Sequence, residues 1–160
     1  MGAEYFTTYG HGKDVHDAFR QASEEAAHWH GHGGYTGTIA EVGDFHLFTR
    51  VKGCRISPRA LADAALDTET YDVWDKDLGR YVTPKPSPKE RAARRKIERA
   101  FNTKAYDQTA VRFMKAVIGS KWEPCAAIEV TGKEATEYKA QRGLKGTHNK
   151  VFFFAGFASC

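Results

Sequence analysis

Residues 28–41 read HWHGHGGYTGTIAE, and the rest of the chain is organised around this segment. It joins the end of an amphipathic helix to the start of a predicted strand, and it contains four glycines and three histidines. Glycine costs conformational entropy and is useful where φ is positive or where two backbones approach closely. The segment is therefore either a tightly folded corner or a binding surface.

The residues before this segment carry a strand signal and a helix signal. Residues 4–8 alternate as a short strand, which we expect to end in a turn at residues 9–12. Asp14 is a typical N-cap, and Gly31 is a typical helix stop. The apolar face of the helix between them consists of Val15, Phe19, Ala22, Ala26 and Trp29. This spacing predicts a helix that packs on the rest of the protein.

The residues after the segment predict a hairpin and then a helix. Residues 35–41 and 44–51 read as two strands joined at Val42-Gly43. Ser57-Pro58 is an N-cap followed by proline at the first helical position, which predicts a helix to about Leu66.

Two segments in the middle of the chain leave alternatives open. Residues 71–82 fit either two short strands around a turn or an irregular loop. Residues 83–88 have the composition of a short linker, and Ser87 with Glu90 forms a capping box that begins a helix. The apolar stripes that follow fit either one long helix over residues 88–119 or two shorter ones.

The C-terminal region supplies the most apolar strands. Residues 150–158, KVFFFAGFA, predict a central strand that pairs with Cys125–Thr131. Residues 134–142 between these strands predict a short helix or a loop. The order of elements predicts a single α+β domain over residues 1–160, with a mostly antiparallel sheet packed against several helices.

Composition narrows the class of protein. A chain of 160 residues with 41% apolar residues buries enough surface to fold without disulfides. No apolar run approaches the ~20 residues of a transmembrane helix, and the N-terminus lacks the layout of a signal peptide. Three cysteines without a CxxC pair favour a reducing compartment. These features predict a cytoplasmic protein without a membrane segment.

The charges are unevenly distributed along the chain. Residues 1–84 hold 8 Lys/Arg against 13 Asp/Glu, a net charge of −5, whereas residues 85–160 hold 16 against 7, a net charge of +9. The predicted binding residues are Lys89, Arg91, Arg94, Arg95 and Arg99, all on one predicted helix. Such a row of cations is typical of phosphate contact, and it is equally compatible with an acidic protein partner or with a solvated helix face.

Residues 31–41, GHGGYTGTIAE, resemble a run found in small accessory proteins of tailed bacteriophages, especially those of actinobacteria. The late segments AIEVTGKEATEYK and KVFFFAGFAS are similar in layout to the same group. The resemblance implies an accessory protein in the cytoplasm of a host bacterium, and it implies no particular activity.

The histidines allow a second interpretation of the central segment. His11, His30 and His32 carry imidazole groups of the kind that bind zinc or nickel. His32 as a base and Tyr35 as a donor, with Glu41 nearby, are candidate catalytic residues. The alternative is a structured corner in which the histidines face the carbonyl groups at the helix end. No Walker, Rossmann, HExxH or GxSxG motif accompanies these residues.

The sequence therefore predicts a protein without a cofactor that binds a host protein or nucleic acid. The contacts would come from the basic helix and from the Gly/His-rich loop. The alternative is a small His-centred enzyme or metal-binding protein that uses residues 28–41.

Overall fold

The computed structural model describes residues 3–31, 34–68, 73–77, 79–101 and 107–159. The elements in chain order are β1 (Ala3–Gly12), α1 (Val15–His30), a 3₁₀ helix η1 (Ile39–Glu41), β2 (Phe45–Leu47), α2 (Pro58–Leu66), β3 (Val73–Asp75), β4 (Arg80–Val82), α3 (Pro88–Ala100), α4 (Gln108–Ile118), β5 (Cys125–Val130), α5 (Gly132–Gln141) and β6 (Lys150–Ser159). The predicted α+β class is confirmed. Within the described ranges, none of the helices has the length and apolarity needed to span a membrane.

In the described part of the chain, four strands form one sheet in the order β1-β6-β5-β2. Strand β6 is antiparallel to both β1 and β5, and β2 runs parallel to β5. The predicted pairing of residues 150–158 with Cys125–Thr131 is confirmed. Strands β3 and β4 form a separate hairpin, so the two-strand interpretation of residues 71–82 is confirmed for the described part of that segment.

The sheet has helices on both faces because β6 is apolar on both faces. Its Val151 and Phe153 side chains point into a core shared with α2 and α4. Its Phe152 and Phe154 side chains point into a second core shared with α1. Successive side chains of a strand point to opposite faces, so a strand covered on both sides reads as a continuous apolar run.

The helix ends follow the predicted capping signals. The side chains of Asp14, Ser57 and Ser87 each accept a hydrogen bond from the backbone N–H three residues later. Gly31 and Gly119 end α1 and α4. These interactions are local, which explains why the sequence predicts them correctly.

The described parts of residues 88–119, which are 88–101 and 107–119, form two helices, and this decides between the alternatives left open above. Helix α3 ends at Ala100, because Phe101 has extended backbone angles (φ −106°, ψ 136°) and forms an isolated β-bridge with Cys54. Helix α4 begins after its N-cap Asp107.

The hairpin predicted for residues 35–51 is wrong. Only Phe45–Leu47 is a strand, and it pairs in parallel with β5. The hydroxyl of Thr36 bonds to the Thr38 hydroxyl at 2.8 Å and donates to the Glu41 carboxylate at 3.1 Å. Threonine side chains that bond locally compete with strand pairing, and here they favour an irregular segment that leads into η1.

The turn predicted for residues 9–12 is also wrong, because β1 continues to Gly12. Helix α1 crosses β1 so closely that a Cβ atom at Gly10 would lie 2.3 Å from the Ala18 carbonyl oxygen. A Cβ atom at Gly12 would lie 2.7 Å from the Ala18 nitrogen. These glycines therefore permit a close helix–strand contact instead of a turn.

Candidate functional site

The basic helix α3 is amphipathic, and its cations point outward. Its buried side chains pack toward α2; they are Glu90, Ala93, Ile97 and Ala100. Its exposed cations include all five predicted binding residues and one more; they are Lys89, Arg91, Arg94, Arg95, Lys96 and Arg99. The structure therefore brings the predicted residues to one helix surface, although their surroundings differ.

Two of these cations are held by groups within the protein. The Lys89 ammonium lies 2.8 Å from a carboxylate oxygen of Asp67. The Arg91 guanidinium donates to the backbone carbonyl of Pro86. A ligand at these positions would compete with an existing partner, and this reduces what either residue contributes to binding.

Arg94 has a structural partner in Glu90. The Glu90 side chain is only 3% exposed, and its Oε1 atom accepts two hydrogen bonds from Arg94, at 2.8 and 3.0 Å. Its Oε2 atom has no hydrogen-bond partner in the described part of the chain. A buried carboxylate is costly without its counter-ion, so Arg94 stabilises α3 and is not free for a ligand.

Arg94→Ala is therefore expected to lower the free energy of unfolding by about 1–3 kcal/mol, because it leaves the Glu90 carboxylate buried without a cation. Urea unfolding followed by circular dichroism measures this change. Arg95→Ala is the matched control on the same helix, and its expected effect is within about 0.5 kcal/mol. Equal unfolding midpoints for the two variants would contradict the structural role of Arg94.

The remaining cations of α3 line a groove. Arg95 and Lys96 are consecutive, and Arg99 lies one helical turn further on; together with Arg55 they surround a cavity of about 320 Å³. The other lining residues are Ile56, Ala92 and Ala100. We call this cavity the α3 groove. Among the described residues, no carboxylate forms an ion pair with any of its four cations.

Arg55 belongs to the groove because of tertiary contacts that the sequence does not reveal. Its backbone N–H donates to the Ala100 carbonyl at 2.8 Å. The adjacent Cys54 forms the β-bridge with Phe101. These two contacts fix the loop before α2 against the end of α3. No local signal around Arg55 identifies this position, since it lies 40 residues or more from the cations of α3 that line the groove.

Among the described residues of the Gly/His-rich loop, residues 28–41, several side chains are exposed, whereas Ile39 is buried. Trp29 is 74% exposed and Tyr35 is 58% exposed. The apolar face predicted for α1 therefore ends before Trp29, and this part of the prediction is wrong. His28 and His30 are also exposed. His32 lies outside the described residues.

The candidate catalytic and metal-binding residues have the following positions. Glu41 accepts the hydrogen bond from Thr36, whereas Tyr35 points to solvent. His11 lies on β1, where its Nδ1 atom is 3.1 Å from the Tyr138 hydroxyl and burial lowers its pKa. Among the described residues, no three His, Cys, Asp or Glu side chains are grouped as metal ligands would be.

A polar network that the sequence analysis missed joins β1, α2 and α5. The Tyr9 hydroxyl donates to Glu134 Oε1 at 2.5 Å, and Arg59 Nε donates to the same oxygen at 3.1 Å. The Arg59 guanidinium also lies 3.7 Å above the Phe153 ring and pairs with Asp63. Burial, followed by the bond to Glu134, raises the pKa of Tyr9. These groups bond to one another, which indicates a structural role.

The α3 groove is thus the part of the predicted site where cations lie together without internal carboxylate partners in the described structure. Lys89, Arg91 and Arg94 do not line it and have partners within the protein instead. No family model matches the chain, and neither a curated protein nor a solved structure matches it.

Proposed function

We propose that the protein binds nucleic acid through the α3 groove. One observation carries this proposal: Arg55, Arg95, Lys96 and Arg99 line a single groove, and no described carboxylate pairs with them. Cations placed in this way neutralise phosphates and release condensed counterions, which is the main source of affinity in nonspecific nucleic-acid binding.

The composition of the groove favours phosphate as the group that is bound. Three of its four cations are arginines, and a guanidinium binds phosphate through two parallel hydrogen bonds. Arg95 and Arg99 are four residues, or about 6 Å, apart along the helix axis, so they can contact neighbouring phosphates. Phosphate contacts of this kind are the same for every base sequence. We therefore propose binding without sequence specificity.

We propose the Gly/His-rich loop as a second contact surface, for a protein partner. Exposed aromatic side chains are enriched in protein interfaces, and this loop presents Trp29 and Tyr35. The resemblance of residues 31–41 to phage accessory proteins supports a partner from the host bacterium. In this proposal the chain is a phage accessory protein that acts by binding.

The alternative, a His-centred enzyme or a zinc or nickel protein, has less support. It requires His32 to approach Tyr35 and Glu41, and His32 is outside the described residues. The hydrogen bond from Thr36 gives the Glu41 carboxylate a role in holding the loop.

The test is fluorescence anisotropy with a labelled DNA duplex of about 20 base pairs and with its single strand, at low salt. The double variant R95E/R99E is expected to weaken binding by about 100-fold, because it replaces two phosphate contacts with two repulsions. Arg94 is left unchanged, since its loss would affect stability as well as binding.

The matched control is K13E/K133E, which changes the net charge equally at two exposed lysines outside α3. We expect it to weaken binding by less than about threefold. If both double variants weakened binding equally, net charge would explain the affinity and the α3 groove would not be the site. Absence of binding by the unaltered protein would contradict the proposal directly.

A further inference from the structure

We infer that a second groove, between the open edge of β2 and helix α4, binds an extended acidic segment of a protein partner, which adds to the sheet as a strand. Two adjoining cavities of about 280 and 320 Å³ form this groove. They share His46, Gln108 and Arg112 as lining residues. The groove shares no lining residue with the α3 groove, so it is a separate surface.

Strand β2 lies at the edge of the sheet. On its outer side, the backbone N–H and C=O groups of Leu47 are directed away from β5. The Phe48 N–H donates to the Ala127 carbonyl at 2.9 Å, and the Cys125 N–H donates to the Asp44 carbonyl at 3.1 Å. Alternate residues of a strand bond to the same neighbour, so the N–H and C=O groups of Leu47 face away from β5. No backbone hydrogen bond to Leu47 is made from the described residues on that side.

The walls of the groove combine three cations with exposed apolar side chains and one carboxylate, that of Glu123. Arg112 and Lys115 of α4 and Arg50 of the loop after β2 line it. None of these three forms an ion pair with a carboxylate in the part of the chain that the structure describes. Leu47 and Val111 are 45% and 43% exposed, although both are apolar.

This combination favours a peptide over a nucleic acid as the occupant. An extended peptide pairs its own N–H and C=O groups with those of Leu47, and it places alternate side chains toward α4. On the α4 face its carboxylates would meet Arg112 and Lys115. On the opposite face, which Leu47 shares with Phe45, its apolar side chains would pack on Leu47. The phosphodiester backbone of a nucleic acid carries no N–H group to pair with the Leu47 carbonyl.

The test uses the full chain and a fluorescein-labelled peptide of about eight residues in which glutamate and valine alternate. Leu47→Pro removes the N–H group that faces the open edge and leaves the bonding to β5 intact. We expect it to weaken peptide binding by about tenfold or more. Leu47→Ala keeps that N–H group and is the matched control, with an expected loss of about threefold at most.

The double variant R112E/K115E tests the charge requirement without changing the strand. We expect it to weaken binding of the glutamate–valine peptide by about tenfold or more, and to favour a lysine–valine peptide instead. Both residues are exposed, so this variant carries the test if Leu47→Pro fails to fold.

Several results would overturn the inference. Equal affinities of Leu47→Pro and Leu47→Ala for the peptide would exclude strand addition. If the unaltered protein did not bind the peptide, and R112E/K115E weakened binding of a DNA duplex, the ligand of the groove would be nucleic acid. If sedimentation showed a dimer that Leu47→Pro disrupts, the edge of β2 would bind a second copy of the chain.

Discussion

Phe154→Ala is expected to lower the free energy of unfolding by about 3–5 kcal/mol, the value typical of a phenylalanine removed from a packed core. Phe154 is fully buried in β6, and its ring lies 5.7 Å from that of Phe19 and 6.3 Å from that of Phe45. It therefore joins β6 to α1 and to β2. The alanine variant leaves a cavity that the surrounding strands and helix cannot fill completely.

Urea unfolding followed by circular dichroism measures this loss. Phe157→Ala is the control in the same strand, because Phe157 is only partly buried and packs mainly on Tyr5. Its expected loss is about 1–2 kcal/mol. A loss below about 1 kcal/mol for Phe154→Ala would mean that α1 does not pack on the sheet as described.

Gly10→Ala has the second largest expected effect, a loss of about 3 kcal/mol. The added Cβ atom would lie 2.3 Å from the Ala18 carbonyl oxygen and 3.0 Å from an edge carbon of Phe154. Because the first of these atoms belongs to the backbone of α1, the helix itself has to move away from β1. The movement would loosen the core between α1 and the sheet.

Gly43→Ala is the matched control for Gly10→Ala. A Cβ atom at Gly43 meets no atom within 4 Å, and this position has no positive φ. We expect an effect between zero and a gain of about 0.5 kcal/mol. If the two alanine variants were equally stable, α1 and β1 would be further apart, and residues 9–12 would be free to form the turn that the sequence predicts.

The sequence predicts those parts of the fold that depend on local interactions. Asp14, Ser57 and Ser87 cap their helices through bonds to residues three positions away, so their effect is visible in a short window. The apolar run of β6 is equally local, because burial on both faces leaves a continuous apolar sequence.

The errors occur where distant contacts, or hydrogen bonds within a loop, decide the structure. The sequence predicts a turn at Gly10 and Gly12. In the structure they are strand residues, because α1 packs so closely on β1 that a Cβ atom would not fit. Thr36 and Thr38 have high strand propensity, but their hydroxyls bond within the loop. Residues 35–41 form no strand, and β2 after them pairs in parallel with β5, some 80 residues away, a contact that no short window of sequence reveals.

For the candidate site, the sequence predicts the exposed cations of α3 but not their tertiary contacts. Helical periodicity places the cations of α3 away from its apolar face, and the structure shows them exposed. Periodicity does not show that Asp67 holds Lys89 or that Arg94 neutralises a buried carboxylate. It also does not show that Arg55 joins Arg95 and Arg99, because the bridge at Cys54 is a tertiary contact.

The salt dependence of DNA binding tests the central claim most directly. Binding of the labelled duplex is measured between low and moderate salt for the unaltered protein and for R95Q/R99Q, which removes two charges without reversing them. Each phosphate contact contributes a slope of about −0.9 to the logarithmic plot of affinity against salt. We predict a steep slope for the unaltered protein and a slope shallower by about 1.8 for the variant. Equal slopes for the two proteins would contradict phosphate binding by the α3 groove.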